Sequence, residues 1–213
     1  VLGSGGTNAG GEGIEADAFS GAATYSMQLP LPPARGSIQP QLILNYNSHR
    51  KNPNSWVGNG WELDLGSILR VPQDEQNPIT GVVGLTNYYT GTSFEARFAG
   101  QTEALFLEQE NINLADYGLS YPPVITGDLY YAKVESAFNI YVHLRNATNL
   151  NNTVDLGWVV IDKGGTRYEF GTDFDAREVC WNEAPCEPHQ WVARWFLNQV
   201  TDPNGNELNI SYD

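Results

Sequence analysis

Two cysteines, Cys180 and Cys186, stand with five residues between them, and His189 follows closely. Thiols this close, in a chain with no others, suit a small disulfide loop in an oxidising compartment. A metal site built on the same residues has no fourth ligand nearby, which leaves zinc as the weaker alternative. Cys180 could also act as a nucleophile with His189 as base, but Cys186 makes the bridge the stronger reading. The three histidines, His49, His143 and His189, are far apart in sequence, and His143 falls on the polar face of a predicted strand. No G-x-S-x-G nucleophile motif occurs, and Ser26 and Ser48 sit in strand or turn patterns.

Carboxylates offer two further chemistries. Asp202, Asn204 and Asn206 alternate as calcium ligands would, but Gly205 falls at the fourth place and no bidentate acid closes the loop. A hairpin turn accounts for the same residues and is preferred. Asp173 and Asp175 are spaced to share one face and flank a sugar, although solvated loop acids explain them equally simply. Trp56, Trp61, Trp158, Trp191 and Trp195 could stack on a glycan; their apolar or glycine-rich surroundings favour buried core, and Trp61 is expected there.

The elements that would position these residues are strands. Tyr25, Met27 and Leu29 alternate with polar neighbours, as do Leu42, Leu44 and Tyr46. Between the two runs Pro30, Pro32 and Pro33 deny donors to any ladder. Trp56, Gly58, Gly60 and Trp61 form a dense Gly/Trp knot, followed by short strands over 61–65 and 67–71. Further alternation marks Phe94 to Phe98, Ile140 to Arg145, Tyr168 to Phe170 and Leu208 to Tyr212. Trp191 to Val200 is apolar on both faces and reads as a fully buried strand. Gln101 to Asn113 reads as a short helix. Thr90-Gly91, Lys163-Gly164-Gly165 and Asp202-Pro203-Asn204-Gly205-Asn206 are turn signals, and Asn204-Gly205 favours a tight hairpin. The strand at Leu208 to Tyr212 is expected at an edge, or paired only with the strand over 195–201.

Many short strands with regular turns imply an all-β fold, either an antiparallel sandwich or a curled sheet. Residues 1–20 are rich in Gly and Ala and read as a flexible lead-in, with the β module over 21–213. Hydrophobic residues make up 41% of the 213-residue chain, enough for a sizeable core, while only 17% are charged. A net charge of -14, from 25 acidic and 11 basic residues, opposes binding to phosphate backbones and anionic membranes. No apolar run approaches the roughly 18 residues of a spanning helix.

Two blocks carry a family resemblance. The first runs from Gly21-Ala22-Ala23 through Leu29-Pro30-Leu31-Pro32-Pro33, Gly36, Leu42-Ile43-Leu44-Asn45-Tyr46-Asn47-Ser48 and Gly58-Asn59-Gly60-Trp61. It resembles the opening of the SpvB-type N-terminal domain, which also begins the B component of Tc toxin complexes and related Rhs proteins. The second block runs from Gly165 to Gly171 and from Trp195 to Tyr212, with Asp202, Gly205, Asn206 and Tyr212 as its markers. It resembles the opening of YD-repeat proteins at about 165–213.

The resemblance implies a non-catalytic structural module, secreted or at the cell surface. It would lead into a YD-repeat shell that encloses a C-terminal toxin or effector. Its partners would be the remainder of a larger YD-repeat chain and toxin-complex subunits. No cofactor, nucleic acid or membrane insertion is implied. A carbohydrate-binding or adhesive β-sandwich is the alternative.

Overall fold

The computed structural model describes residues 15–16, 21–31, 38, 42–50, 57–63, 65–71, 93–98, 101–132, 138–146, 155–180 and 191–212. The chain divides into two compact units, one of Val1–Pro33 with Gln39–Leu65, the other of Ala34–Ile38 with Gly66–Asp213.

The first unit holds a four-stranded antiparallel sheet in the order β1 (Glu15–Ala16), β2 (Ala23–Leu29), β3 (Leu42–Asn47) and β4 (Trp61–Leu63). Within the expected lead-in, Glu15 and Ala16 pair with Thr24 and Ala23. Period-two alternation places Tyr25, Tyr46 and Trp61 in one cross-strand row and Met27, Leu44 and Leu63 in the next. Cross-strand rows of this kind are the stabilising unit of a sheet.

The second unit contains β5 (Ser67–Val71), β6 (Ser93–Phe98), β7 (Gln101–Ile112), β8 (Ile125–Ala132), β9 (Ile140–Asn146), β10 (Asp155–Ile161), β11 (Arg167–Phe170), β12 (Arg177–Cys180), β13 (Trp191–Thr201) and β14 (Glu207–Asn209). Strands β5 to β11 pair in sequence, and β13 joins β5 to β11, so eight antiparallel strands close on themselves. Of the two expected all-β forms, the chain adopts the curled sheet, taken to closure. Closure removes the open edges that a sandwich would leave.

Strand β13 is long enough to serve more than the barrel. Its first half pairs with β12 and its last residues with β14. This confirms the two-sided burial expected of Trp191 to Val200: Val192, Ala193, Trp195, Leu197 and Val200 are all buried. The edge expectation also holds, because β14 pairs with β13 alone.

Gln101 to Asn113 departs from the helix reading. It forms β7, which pairs with β6 through Gln101–Leu105 and with β8 through Leu105–Ile112. The run Ala104-Leu105-Phe106-Leu107 has no period of its own, so the distant partners decide its conformation. A single short 3-10 turn, Leu114–Tyr117, follows it, capped by the Asn113 side chain and by Gly118 in the left-handed region.

An eight-stranded barrel has an interior just wide enough for side chains to fill. Here the filling includes Ile68, Phe94, Tyr130, Tyr141, Trp158, Phe170 and Trp195. A second cluster, Ile112, Leu114, Leu119, Leu129, Val142, Leu144 and Val159, packs separately from it. Strand β9 is therefore covered on both faces. His143, expected on a polar face, is only 3% exposed for that reason.

Candidate functional site

Three constellations hold the polar residues that the fold brings together. The first is a pair of turns. Asp202 Oδ1 accepts the backbone N–H groups of Asn204 and Asn206, each at 2.9 Å, and its Oδ2 accepts Asn206 Nδ2 at 2.8 Å. Asp162 does the same one hairpin earlier: its Oδ1 accepts Gly164 N–H at 2.7 Å and Thr166 N–H at 2.9 Å. In both turns the aspartate N–H donates to the carbonyl four residues on, and its own carbonyl accepts from glycine three residues on. Those glycines, Gly165 and Gly205, have φ of 82° and 80°, a region that only glycine adopts without strain. The Asp202 carboxylate is thus engaged by its own turn, which supports the hairpin over a calcium loop. No group of three or more metal-ligating side chains occurs among the described residues.

The second constellation is a charge cluster inside the barrel. Arg70 on β5 pairs with Asp155 Oδ2 on β10, and its Nε donates to Val192 O at 3.0 Å. The guanidinium lies over the rings of Phe94 and Trp195. His143 on β9 brings Nε2 to 3.3 Å from Asp155 Oδ1, at an angle that does not make a hydrogen bond, so the contact is electrostatic. Its ring stacks on Trp158 at 4.3 Å and 10°. Beside them Arg145 donates to Asp128 at 2.6 Å, and Asp128 also accepts Asn111 N–H.

A bulge makes this cluster possible. Arg145 faces Asp155 while His143 faces Trp158, so β10 spends one extra residue between its paired positions. Gly157, at φ 131°, absorbs the kink. Asp155 and Trp158 consequently share the barrel interior, although simple alternation would set them on opposite faces. Arg177 secures the bulge by donating to the carbonyls of Asp155, Leu156, Gly171 and Thr172.

Burial by itself pushes the Asp155 carboxyl upward, but His143, Arg70 and Arg145 together hold it below its ordinary value. Burial lowers the Arg70 guanidinium, against the pull of Asp155. Burial and Asp128 push the Tyr130 hydroxyl up to about 12. A His–Asp pair can orient a base for catalysis, yet here Phe94, Tyr130, Trp158 and Trp195 enclose the imidazole. The cluster fastens β5, β9 and β10 to one another. Sequence reasoning missed it because its members come from four separate strands and its decisive feature is the Gly157 bulge.

The third constellation is the Gly/Trp knot. Trp61 N–H donates to Gly58 O at 3.0 Å and Asn47 N–H to Gly60 O at 2.9 Å. A β-carbon on Gly60 would meet Tyr46 Cε2 at 2.7 Å, which explains that glycine. Trp61 contacts Tyr25 and Tyr46 at ring-centroid separations of 6.0 and 5.1 Å. It is half-buried rather than the full core residue anticipated, because a three-residue strand at a sheet edge covers it on one side. Trp56 lies outside the described residues.

The other candidates are dispersed. Cys180 ends β12 opposite Trp191, and Cys186 lies outside the described residues. Asp173 accepts Asn198 Nδ2 at 3.1 Å, whereas Asp175 accepts Tyr212 N–H at 3.2 Å, so each acid has a structural partner. The Tyr212 hydroxyl donates to Leu197 O at 2.7 Å. Trp158 and Trp195 are fully buried and offer no stacking platform.

A filled, closed barrel whose polar residues tie strands and turns together defines a structural β module. A family model described as Salmonella virulence plasmid 65kDa B protein matches residues 17–213, and the chain belongs to that family, SpvB. No curated protein matches it by sequence. Among solved structures, it is similar to the N-terminal domain of effector protein SpvB from Salmonella typhimurium strain LT2, with a TM-score of 0.58 and 21% identity. That match covers 87% of this chain and 53% of the other, so the chain spans about half the length of the solved relative.

Proposed function

We propose that this chain is a non-catalytic scaffold near the start of a larger secreted effector or toxin protein, leading into a YD/Rhs-type shell around a C-terminal cargo. One observation carries the reading: the barrel interior is filled by side chains, with Trp158 and Trp195 fully buried, and its charged residues serve each other. Membership of the SpvB family supports an effector context, and the two aspartate-anchored hairpins support a YD-type continuation. The acidic surface suits an extracellular protein without a nucleic-acid partner. No helix among the described residues is long and apolar enough to cross a membrane.

Electron microscopy and limited proteolysis of the full-length protein test the proposal. A hollow β shell continuous with this barrel, holding a protease-protected segment, is expected. A compact particle without an enclosed segment would refute it.

A further inference from the structure

The two aspartate turns belong to a ladder. Val160 to Phe170 align without a gap on Val200 to Ile210, with Asp162 matching Asp202 and Gly165 matching Gly205. The match is spatial as well. Val160 pairs with Tyr168, Tyr168 with Val200, and Val200 with Leu208, so one row crosses β10, β11, β13 and β14 in register. The second hairpin is therefore the first one repeated two strands further along the same sheet. The turns also touch: a β-carbon at Gly165 would stand 3.6 Å from Pro203 Cγ of the next turn. At Gly205, the equivalent place in the second turn, the same β-carbon meets nothing within 4 Å.

The open side of β14 has a defined polarity. Ile210 N–H donates to Asn198 O, toward β13. Strand alternation then turns the N–H groups of Glu207 and Asn209 away from β13, and β14 has no second partner strand among the described residues.

From this we infer that the outer edge of β14, with the open slot beside Gly205, is a docking surface for one further β-hairpin of the same design. Its turn carries aspartate first and glycine fourth, and the residue two before that aspartate is apolar and sits opposite Leu208, as Val200 sits opposite Tyr168. The residue after the aspartate fills the slot at Gly205, as Pro203 does at Gly165. Main-chain pairing supplies the affinity and the turn fixes the register. This rests on the scaffold reading above but can fail without it, since a shell could continue from another edge.

The probe is a synthetic peptide reproducing Trp191–Tyr212, added to the isotopically labelled 213-residue chain and followed by backbone amide NMR. Saturable shifts confined to Gly205 and Glu207–Asn209 are expected. A peptide with Asp202→Ala should bind about tenfold more weakly, as one lost charge-assisted bond implies. Asn209→Pro in the labelled chain removes an outward N–H without touching the β13 ladder, and should abolish the shifts while leaving the rest of the spectrum unchanged. Absence of shifts at millimolar peptide, or binding undiminished by Asn209→Pro, would overturn the inference. So would concentration-dependent shifts of the same amides without peptide, which would make a second copy of the chain the occupant.

Discussion

Gly171 and Trp195 touch where β11 ends: a β-carbon on Gly171 would lie 2.9 Å from Trp195 Cβ and 3.0 Å from its Cγ. Gly171 also has φ of 61° and donates its N–H to Phe196 O. Any side chain there displaces a fully buried tryptophan from the centre of the barrel. Gly171→Ala should cost about 2–4 kcal/mol, combining left-handed strain with overpacking. Gly205→Ala, where only the backbone strain applies, should cost about 1 kcal/mol. Urea denaturation of the two variants compares them, and equal losses would show that the Trp195 contact is dispensable.

Asp202→Ala removes the acceptor for two backbone N–H groups and one side-chain amide. Asp202 is 4% exposed, so water replaces the lost bonds poorly. The expected loss is about 1–3 kcal/mol, and Asp162→Ala should show a similar one. Asp202→Asn keeps one acceptor oxygen and should fall between alanine and wild type. Added calcium should not shift the melting temperature of the wild-type chain; a rise would revive the calcium loop.

Asp155 predicts an acid dependence with a definite sign. Its carboxyl is held below its ordinary value in the folded state, so its contribution is present above the unfolded carboxylate range and lost as pH falls through the folded value. Stability should therefore decline on acidification below that range, and Asp155→Asn should flatten the decline. At neutral pH the same variant leaves Arg70 buried without its counter-ion, at a cost of about 3–5 kcal/mol. Thermal melts from pH 7 down to acid, for both proteins, read out slope and offset.

Cys180 and Cys186 flank the β12–β13 connection, where a bridge would close a short loop. Its removal should cost about 2–3 kcal/mol by the chain-entropy argument. Intact mass after alkylation without reductant decides the matter: an unmodified mass is expected for protein from its native source. Two alkylated thiols would remove the bridge and, with it, one reason for an extracellular setting.

Period-two alternation and turn chemistry are local, and the amino-acid sequence by itself determined what depends on them. The strands at Tyr25, Leu42, Phe94, Ile140 and Tyr168, the buried strand over Trp191 to Val200, and the Asp202 turn were all legible, because side chains alternate and Gly205 needs a left-handed backbone. Only tertiary structure decided the rest. Gln101 to Ile112 is a strand because β6 and β8 flank it. His143 is interior because packing covers both faces of β9. Asp155 reaches Arg70 because one bulge at Gly157 turns it inward, and a one-residue shift reverses the face of every side chain beyond it. Barrel closure itself rests on β13 meeting both β5 and β11, pairings between residues far apart in the chain that no local pattern encodes.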